Sequence, residues 1–588
     1  MCGIAGIMTN NGAAPERSYL NALRAALSHR GPDGEGVHLA GDVGLIQTRL
    51  AIIDLETGDQ PLYEPGGGAL VANGEIYNYV ELRAELGANA FSTASDCEPP
   101  LVLYRRDGLD FTRSLRGMYA IAIHDPHAGR LVLARDPFGI KPLYYSETQL
   151  GFVFASEPGA LIKAGLVTPK IRAGAIEELL QIQYVTGRET AFEGIFRVLP
   201  GETLVVAGGR IVDRRRDQAL PDDPPENWSD AEAMDRLDAI LTDSVMVHQR
   251  ADVSYGMFLS GGIDSSALLA LMARLNDRPV LAYTIGFAGA AVPDERAHAR
   301  VVAQSLGAEH VEVEFSKEDF WQSLPRIAAI MDDPAADYAV LPTFKLAGRA
   351  AQDVKVILSG EGGDELFAGY GRYRSVMRPW WCGGRAMRWR GAMQGAGLLR
   401  AEYSNWRDGT AAREGIQARG GRTRLQVAQA VDCADWLPND LLIKLDRCLM
   451  AHGVEGRTPL LDPRVAEFAY RLPDRLKVRG RTGKWLLRNW LAETLPVAKP
   501  FTRKRGFTVP VGEWISVEGA RIGGLVAAQP GIVELCNPSA VESVFRSTGK
   551  RAAFASWMLL FYALWHDRHI LGQICDGDAF DALDPARY

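Results

Sequence analysis

The sequence predicts a sheet-rich α+β half followed by an α/β half built on a parallel sheet, and three observations support this fold class. Short apolar runs separated by Gly, Pro and Asp fill the chain up to about residue 209. Apolar strands then alternate with helices between residues 253 and 358, as in a parallel sheet covered on both faces. The length of 588 residues exceeds one module, since domains commonly hold about 100–200 residues.

Three short runs of β-forming residues are predicted to be strands of the first half. They cover residues 118–123, 130–134 and 152–155, and the turn D-P-F-G at residues 136–139 follows the second of them. Short strands divided by such turns are typical of an α+β domain. We place this first domain at residues 1–210.

A polar segment at residues 211–230 is predicted to be a linker between the halves. It holds three prolines and many charges, and such composition cannot bury a core. The arginine triplet at residues 214–216 is interpreted as a solvated charge run.

The second half is predicted to begin at residue 231 and to end at residue 525. Residues 253–259, 281–287 and 354–358 are predicted strands, while residues 266–275 and 297–306 are predicted helices. A helical C-terminal extension is expected at residues 526–588. Its longest apolar run, residues 557–565, is far shorter than the roughly 20 residues of a membrane span and predicts a buried helix.

Charge and cysteine content restrict the functional class. The 65 basic and 72 acidic residues give a net charge of −7, so the chain lacks the overall basic character of a nucleic-acid-binding protein. Seven cysteines form an odd, irregular set, which predicts reduced thiols rather than a disulfide framework. The first residues lack the features of a signal peptide. We therefore expect a cytoplasmic protein with small-molecule partners, without nucleic acid or membrane.

The loop after Leu259 has the features of a phosphate site. It reads S-G-G-I-D-S-S at residues 260–266 and joins a predicted strand to a predicted helix. Glycines allow close backbone approach, and the helix N-terminus offers unpaired amides. The loop lacks the Lys-Ser/Thr pair of a P-loop. Asp264 would suit Mg²⁺ between its carboxylate and the phosphate.

A second loop follows the predicted strand at residues 354–358. It reads S-G-E-G-G-D-E at residues 359–365, with three glycines and three carboxylates. Beside the first loop in a parallel sheet, these carboxylates would suit another Mg²⁺ ligand and a group close to the reacting phosphate. The first loop resembles the pyrophosphate-binding loop of enzymes that cleave ATP between the α and β phosphates. Synthetases, tRNA-modifying enzymes and sulfur-transfer enzymes share that loop.

Cys2 is a candidate nucleophile because of its position. If Met1 is removed, the thiol shares its residue with a free α-amine, whose pKa of roughly 7.7–8.0 makes it a usable base. A nucleophile activated by its own terminal amine is an established catalytic arrangement.

The first half resembles the glutamine amidotransferase domain of the N-terminal-nucleophile hydrolases. The resemblance is carried by the segments M-C-G-I-A-G, S-H-R-G-P-D, R-L-A-I-I-D, N-G-E-I-Y-N, S-D-C-E and A-R-D-P-F-G-I-K-P-L-Y-Y. It implies that Cys2 attacks the glutamine side-chain amide, with the Asn73 side chain and the Gly74 N–H holding the oxyanion. It also implies a glutamine-binding set made of Arg49 for the carboxylate, Asp96 for the ammonium, and Ile53, Asn73 and Glu75.

The whole chain resembles the glutamine-hydrolysing asparagine synthetases over about residues 1–515. Segments of the second half that match are Y-T-I-G-F, D-D-P, N-D-L-L-I-K-L-D-R, E-G-R-T-P and, at residues 503–510, R-K-R-G-F-T-V-P. The implied fold is an N-terminal-nucleophile hydrolase sandwich followed by an α/β adenylating domain with helical C-terminal additions. The implied cofactors are ATP and Mg²⁺, and the resemblance suggests a homodimer.

This resemblance also implies roles for residues of the second half. Asp264 and Asp364 would carry Mg²⁺, Glu361 would act at the acyl-adenylate and Lys484 would neutralise phosphate charge. The implied ATP-binding residues are Leu259, Ser260, Gly261, Gly262, Asp264, Ser265, Ser266, Ile285, Ser359 and Gly360.

The implied reaction adenylates aspartate, releases pyrophosphate and uses ammonia from glutamine to form asparagine and AMP. Amidation of another carboxylate, on a peptide, a cell-wall precursor or a polysaccharide, is the alternative. An RNA-modifying enzyme would leave the glutaminase half unexplained, and a non-catalytic binding protein would not be expected to retain both sets of site residues.

Two segments depart from the family pattern. Pro99 and Pro100 stand where an apolar helix start is usual, although proline is tolerated in a first helical turn. Residues 372–407 are rich in Arg and Trp, and we interpret them as a packed helical excursion whose arginines extend to solvent.

Overall fold

Two stacked antiparallel sheets form the first half of the computed structural model, which describes residues 2–287, 294–401, 404–502 and 509–587. The first sheet contains, in spatial order, Phe196–Arg197, Tyr144–Glu147, Gly151–Ala155, Cys2–Thr9, Val43–Arg49 and Gly34–Ala40. The second contains Arg210–Arg216, Glu202–Ala207, Arg130–Arg135, Gly117–Asp125, Ala69–Ile76 and Leu62–Tyr63. Met1 and most of the matched segment at 503–510 lie outside the described residues.

The two sheets share one apolar interior. Ile4 and Leu45 of the first sheet pack in the same cluster as Val71 and Leu131 of the second. Helices cover the outer faces, namely Arg17–Leu27, Tyr79–Leu86, Pro99–Asp107, Pro158–Lys163 and Ala175–Ile182. Pro99 and Pro100 occupy the first turn of their helix, where missing N–H groups cost nothing. This layered arrangement confirms the predicted α+β sandwich.

The predicted linker begins too early. Residues 210–216 form an edge strand that pairs with Glu202–Ala207, and Arg214 lies opposite Leu204. Charged residues on an edge strand are typical because they face water and discourage further pairing. Residues 217–229, which contain the prolines, have neither helix nor strand and form the connection to the second half.

A five-stranded parallel sheet forms the centre of the second half and confirms the predicted α/β class. Its spatial order is Glu309–Phe315, Leu281–Phe287, Tyr255–Phe258, Val356–Leu358 and Glu455–Arg457. The first strand in sequence, Tyr255–Phe258, therefore lies beside the fourth, and the strand order reverses between them. Ligands of open α/β sheets bind at such a reversal, beyond the carboxyl ends of the strands.

Helices cover both faces of this sheet and continue to the C-terminal region. Those of the sheet domain include Asp230–His248, Ile263–Leu275, Arg296–Ser305, Lys317–Ile330, Val340–Ala350, Gly363–Leu366, Gly371–Met377, Asp408–Gln417, Arg424–Val431, Ile443–Met450, Pro463–Arg471, Asp474–Lys477 and Trp485–Thr494. A π-helical stretch, Asp432–Leu442, leads into Ile443–Met450. The later ones include Val511–Val517, Gly519–Ala527, Pro530–Leu535, Pro538–Arg546, Lys550–His569 and Ala579–Ala582.

The C-terminal residues are an integral part of the core rather than a separate extension. The predicted boundary at residue 526 falls inside the helix Gly519–Ala527. The helix Lys550–His569 is buried along most of its length, as predicted for residues 557–565, and Trp565 donates from Nε1 to the Met331 carbonyl at 3.0 Å. Within the described part of the chain, no helix is long and apolar enough to cross a membrane.

The segment at residues 372–407 packs less than expected. Among its described residues, only Gly371–Met377 at its start is α-helical, and Trp406 is buried near its end. Trp380, Trp381 and Trp389 are instead 80%, 69% and 50% exposed. The expectation of a packed excursion is therefore wrong for these three tryptophans, whereas Met387 and Met393 between and after them are buried.

Candidate active sites

Cys2 begins the strand Cys2–Thr9 and lies where the two sheets of the first half meet. Its backbone N–H donates to Asn73 Oδ1 at 3.1 Å, and its Sγ accepts from Gln47 Nε2 at 2.9 Å. Burial raises the pKa of the Cys2 thiol, so the thiol retains its proton in this state. A base must therefore accept that proton before sulfur can attack.

Asn73 carries an unused hydrogen-bond donor beside this thiol. Its side chain is fully buried, and Nδ2 has no partner among the described residues. A buried donor without a partner is costly, so its natural partner is a group that arrives with the substrate. A Cβ on the neighbouring Gly74 would lie 2.2 Å from the Met118 carbonyl oxygen, which explains why glycine stands there.

Arg49 lies on the strand paired with Cys2 and is held by the loop after its strand. Its Nη1 is 2.7 Å from Asp59 Oδ1, and its Nη2 donates to the Asp54 carbonyl at 2.5 Å and the Ile53 carbonyl at 3.4 Å. The Asp59 side chain is 80% exposed, whereas the Arg49 side chain is 8% exposed. The Arg49 guanidinium is thus held by buried backbone carbonyls, and its other partner, the exposed Asp59 carboxylate, could be replaced by a carboxylate of the substrate.

Two buried carboxylates, Glu75 and Asp96, lie near the nucleophile. Asp96 accepts from the Ile76 N–H at 2.8 Å, and burial raises the pKa of Asp96 to about 6. Burial and the nearby Asp96 raise the pKa of Glu75 well above its ordinary value. Such a pair favours a cationic group between or beside its members.

Arg457 reaches this site from the second half of the chain. Its Nη2 is 3.3 Å from Glu75 Oε2, and its Nε donates to Glu455 on the same short strand. Arg457 was not predicted as a site residue, although it lies in the matched segment E-G-R-T-P. The structure shows that Arg457 is fully buried beside these carboxylates, and this burial indicates its part in the site.

A cavity of about 780 Å³ opens where the strand order of the parallel sheet reverses. Of the predicted residues, its lining includes Leu259, Ser260, Gly261, Gly262, Asp264, Ser265, Ile285, Ser359, Gly360, Glu361, Asp364 and Lys484. Ser266 is not among the lining residues, because it lies fully buried on the inner side of the helix Ile263–Leu275. The structure thus brings the two glycine-rich loops together.

The loop after Leu259 presents backbone amides to this cavity. Gly261 has φ of 67°, a conformation that favours glycine, and the first helical hydrogen bond runs from the Ser266 N–H to the Gly262 carbonyl. The amides of the first turn therefore have no partner within the helix. A helix start of this kind binds phosphate oxygens.

Lys484 lies between the two carboxylates predicted to carry a metal ion. Its Nζ donates to Asp264 and is 2.6 Å from Asp364 Oδ1. Burial lowers the pKa of Lys484, but the two carboxylates outweigh burial and hold it above its ordinary value. A Cβ on Gly369 would lie 1.7 Å from Asp364 Oδ1 and 2.3 Å from Lys484 Cε, so a larger residue there would displace this pair.

The donor set fits Mg²⁺ only together with phosphate. The described residues contain no cluster of three or more His, Cys, Asp or Glu that would hold a metal by themselves. Two carboxylates with substrate phosphates are, however, the usual donor set for Mg²⁺. Asp264 and Asp364 meet that requirement.

Glu361 and Lys444 form a second pair in the cavity. Lys444 Nζ is 3.8 Å from Glu361 Oε1 and 2.9 Å from Asp337 Oδ2. Burial raises the pKa of Glu361, which makes this carboxylate a stronger proton acceptor than an exposed glutamate. Lys444 was not predicted as a site residue, although it lies in the matched segment N-D-L-L-I-K-L-D-R.

One helix connects the two sites. Ile443–Met450 carries Lys444 toward Glu361 and Asp446 toward the first half. Arg30 donates from its Nη groups to both Asp446 oxygens, at 2.8 and 3.0 Å, and from Nε to the Cys2 carbonyl at 3.2 Å. The nucleophile and the cavity are therefore joined by a short series of buried contacts.

Comparison with known proteins gives consistent matches for both halves. A family profile described as Asparagine synthase matches residues 236–567, and one described as Glutamine amidotransferase domain matches residues 1–216. Glutamine-hydrolysing asparagine synthetase 1 of Bacillus subtilis is 32% identical over 88% of this chain and 88% of its own length. Glutamine-hydrolysing asparagine synthetase 2 of Bacillus subtilis is 30% identical over 84% of this chain and 70% of its own length. Glutamine-hydrolysing asparagine synthetase B of Escherichia coli is 28% identical over 88% of this chain and 83% of its own length.

Proposed function

The chain belongs to the asparagine synthase family of glutamine-dependent carbon–nitrogen ligases, and we propose that it converts aspartate to asparagine. In this proposal glutamine is hydrolysed at Cys2, and ammonia reaches an aspartyl-adenylate in the 780 Å³ cavity. The observation that carries it is the pairing of a buried thiol site with a phosphate-type cavity through the helix Ile443–Met450.

The glutaminase step uses groups already in position around Cys2. With Met1 removed, the α-amine takes the thiol proton and Sγ attacks the side-chain amide carbon of glutamine. Asn73 Nδ2 donates to the developing oxyanion, an interaction worth about 10²–10³ in rate. Ammonia leaves with a proton from the amine, and water then hydrolyses the thioester to glutamate.

The same site would bind the amino-acid end of glutamine by charge. The substrate carboxylate displaces the exposed Asp59 from Arg49, whose fork accepts two oxygens. The substrate ammonium approaches Asp96, with Glu75 nearby. Arg457 offsets the charge of these carboxylates from the side of the second half.

The adenylation step takes place at the two loops of the cavity. The aspartate carboxylate attacks the α-phosphorus of ATP, and pyrophosphate departs toward the amides of residues 260–265. Asp264 and Asp364 would hold Mg²⁺, which supplies positive charge to the phosphate oxygens when bound. Lys484 then turns from these carboxylates to the phosphate that they face.

The final step is attack of ammonia on the acyl-adenylate carbonyl. A nitrogen–carbon bond forms, the bond to AMP breaks, and Glu361 accepts the proton that the nitrogen must lose. The ammonium group of Lys444 keeps Glu361 oriented and balances the negative charge of its carboxylate. Because ammonium is not nucleophilic, the passage between the sites would need to exclude water.

Amidation of a carboxylate other than aspartate is the second candidate function. The charged residues that line the cavity are the reason to retain it. Lys444 and Lys484 pair with carboxylates of the chain, and Arg488 donates to the Gly483 carbonyl at 2.8 Å. Of the cations in the described lining, Lys499 alone has no such partner. Within the described lining, the exposed Lys499 is therefore the cation left to pair with the second carboxylate of aspartate, and no buried lysine there is free to do so.

The deciding experiment measures pyrophosphate release with ATP, Mg²⁺ and a panel of carboxylates. Glutamine or ammonium is the nitrogen source, and product amides are identified by mass. Aspartate should stimulate release and yield asparagine. Stimulation by another acid but not by aspartate would reject the asparagine reaction and retain the family chemistry. Omission of Mg²⁺ should abolish pyrophosphate release while glutamine hydrolysis continues.

A further inference from the structure

The segment at residues 371–401 has an unusual charge distribution. It contains seven arginines and three tryptophans but neither Asp nor Glu, within a chain whose net charge is −7. At its borders, Arg372 pairs with Asp432 at 2.8 Å and Arg407 with Glu414 at 2.5 Å. Within residues 371–401 no acidic residue stands in the sequence to neutralise the remaining arginines.

Arginines from two other segments extend this surface. Arg374 donates to the Arg481 carbonyl at 2.7 Å, which places the hairpin Val478–Gly483 beside the helix Gly371–Met377. Arg424 donates to the Arg378 carbonyl at 3.1 Å. We call the combined surface the arginine–tryptophan patch; its members are Arg374, Arg378, Trp380, Trp381, Arg385, Trp389, Arg390, Arg424, Arg479 and Arg481.

None of the patch arginines forms an ion pair with a carboxylate of the described chain, and most are exposed. Unpaired arginines in this number create a strong local positive potential, which attracts an anionic partner. Arginine also binds phosphate in a bidentate manner. The partner of this surface is therefore expected to carry closely spaced negative charges.

The tryptophans restrict the kind of anionic partner. Trp380 and Trp381 protrude at 80% and 69% exposure, and their rings stand at 87° to each other. Successive bases of a single strand stack on aromatic side chains, whereas these two adjacent rings are perpendicular and do not form one continuous stacking surface. Protruding tryptophans flanked by arginines instead match the chemistry of the bilayer interface, where indole rings lie at headgroup level.

We propose that the arginine–tryptophan patch binds a membrane surface that contains anionic phospholipid. Trp380 and Trp381 enter the headgroup layer, and the surrounding arginines contact lipid phosphates. The expectation from sequence that no membrane partner exists is revised by this proposal, which concerns attachment from one side and no spanning segment. It does not depend on the identity of the acceptor.

The test is flotation of the full chain with vesicles of phosphatidylcholine, with or without phosphatidylglycerol. We expect binding only with phosphatidylglycerol, and weakening as salt is raised. The double variant Trp380→Ala/Trp381→Ala should abolish flotation. Each of Arg378→Glu and Arg385→Glu should weaken binding on the order of tenfold, since every basic residue contributes about fivefold near an anionic surface.

Matched controls alter the same residue types elsewhere on the surface. Arg105→Glu removes an exposed arginine of the first half, and Ile574→Ala removes an apolar side chain that is 67% exposed. Both should float as the unaltered chain does, and glutamine hydrolysis should be unchanged in every variant, which reports that each is folded. Absence of binding to phosphatidylglycerol vesicles, or equal loss in patch and control variants, would overturn the proposal. So would binding of a single-stranded oligonucleotide, but not vesicles, that depends on the patch.

Discussion

The chemistry of Cys2 depends on a few contacts that can be removed one at a time. Cys2→Ala should abolish glutamine-dependent amide formation while ammonium-dependent formation continues, because the cavity of the second half does not use the thiol. Product formation with each nitrogen source is the measurement. Cys575→Ala, which alters a thiol distant in sequence, should leave both activities intact. Loss of ammonium-dependent activity in Cys2→Ala would contradict the separation of the two sites.

The charge of Asp96 predicts a pH dependence of the glutaminase step. The pKa of Asp96 is raised to about 6, so this carboxyl is ionised above that pH and protonated below it. Because the substrate ammonium requires the ionised form, kcat/KM for glutamine should fall as pH drops below about 6, approaching tenfold per pH unit.

The variant Asp96→Asn supplies the control for this pH profile. It should have a low kcat/KM for glutamine at every pH and should lack the acidic limb, whereas ammonium-dependent synthesis should not follow that limb. An acidic limb that persists in Asp96→Asn would assign it to another group.

Only some residues of the sites could be predicted from the sequence. Cys2 and the loop of residues 260–266 carry local patterns, because a terminal thiol and a glycine-rich turn have meaning within a few residues. Arg457 and Lys444 do not, since a buried cation acquires its role from partners far along the chain, such as Glu75. Ser266 was predicted with its loop but turns inward, because the helix that begins there rotates it toward the core.

Among the elements, the parallel sheet shows which strands can be predicted from the hydrophobic pattern of the sequence and which cannot. The strand Leu281–Phe287 has the bounds predicted for it because it is an apolar run. Glu309–Phe315 alternates charged and apolar residues at the sheet edge, and Glu455–Arg457 is a short polar strand, so neither has the apolar run expected of a buried parallel strand. Glu455–Arg457 is identified only by its pairing with Val356–Leu358.

The contact between the turn Ser28–Arg30 and the helix Ile443–Met450 predicts a large stability effect. Asp446→Ala should lower the free energy of unfolding by about 3–5 kcal/mol, because it leaves Arg30 buried without its main partner. The double variant Arg30→Met/Asp446→Leu should recover part of that loss, since it removes both charges of the pair while Glu157 keeps His29 and Arg447 as partners. Thermal unfolding is the measurement.

A surface pair provides the comparison for this network. Glu542→Ala breaks an exposed pair with Arg546 and should change stability by less than about 1 kcal/mol. A double variant as unstable as Asp446→Ala would show that the Arg30 network contributes through packing rather than through charge.

At the scale of the whole molecule, one apolar cluster joins the beginning of the chain to its end. It contains Leu23 and Leu179 of the first half together with Leu324 and Trp565 of the second. The ring of Trp565 lies 5.5 Å from that of Phe192, centroid to centroid. Sequence alone placed the C-terminal residues outside the catalytic domains, because apolar periodicity shows that a helix is buried but not against what.

Trp565→Ala should lower the free energy of unfolding by about 3–5 kcal/mol, since it empties a fully buried site in this cluster. Both activities should be lost at the same temperature, because the cluster belongs to both halves. Parallel measurement of glutamine hydrolysis and pyrophosphate release during heating tests this. Val517→Ala, at a side chain 65% exposed, should have little effect. Separate midpoints for the two activities would indicate halves that unfold independently.

The shared cluster also sets an order of events during biosynthesis. Domains commonly fold from the N-terminus as the ribosome elongates at roughly 5–20 residues per second, so the first half emerges on the order of tens of seconds before Trp565. Until then the apolar side chains of Ala175–Ile182 lack their partners in Lys550–His569. Nascent chains stalled before residue 550 should therefore be cleaved by protease near residues 175–182, a region that the complete chain protects.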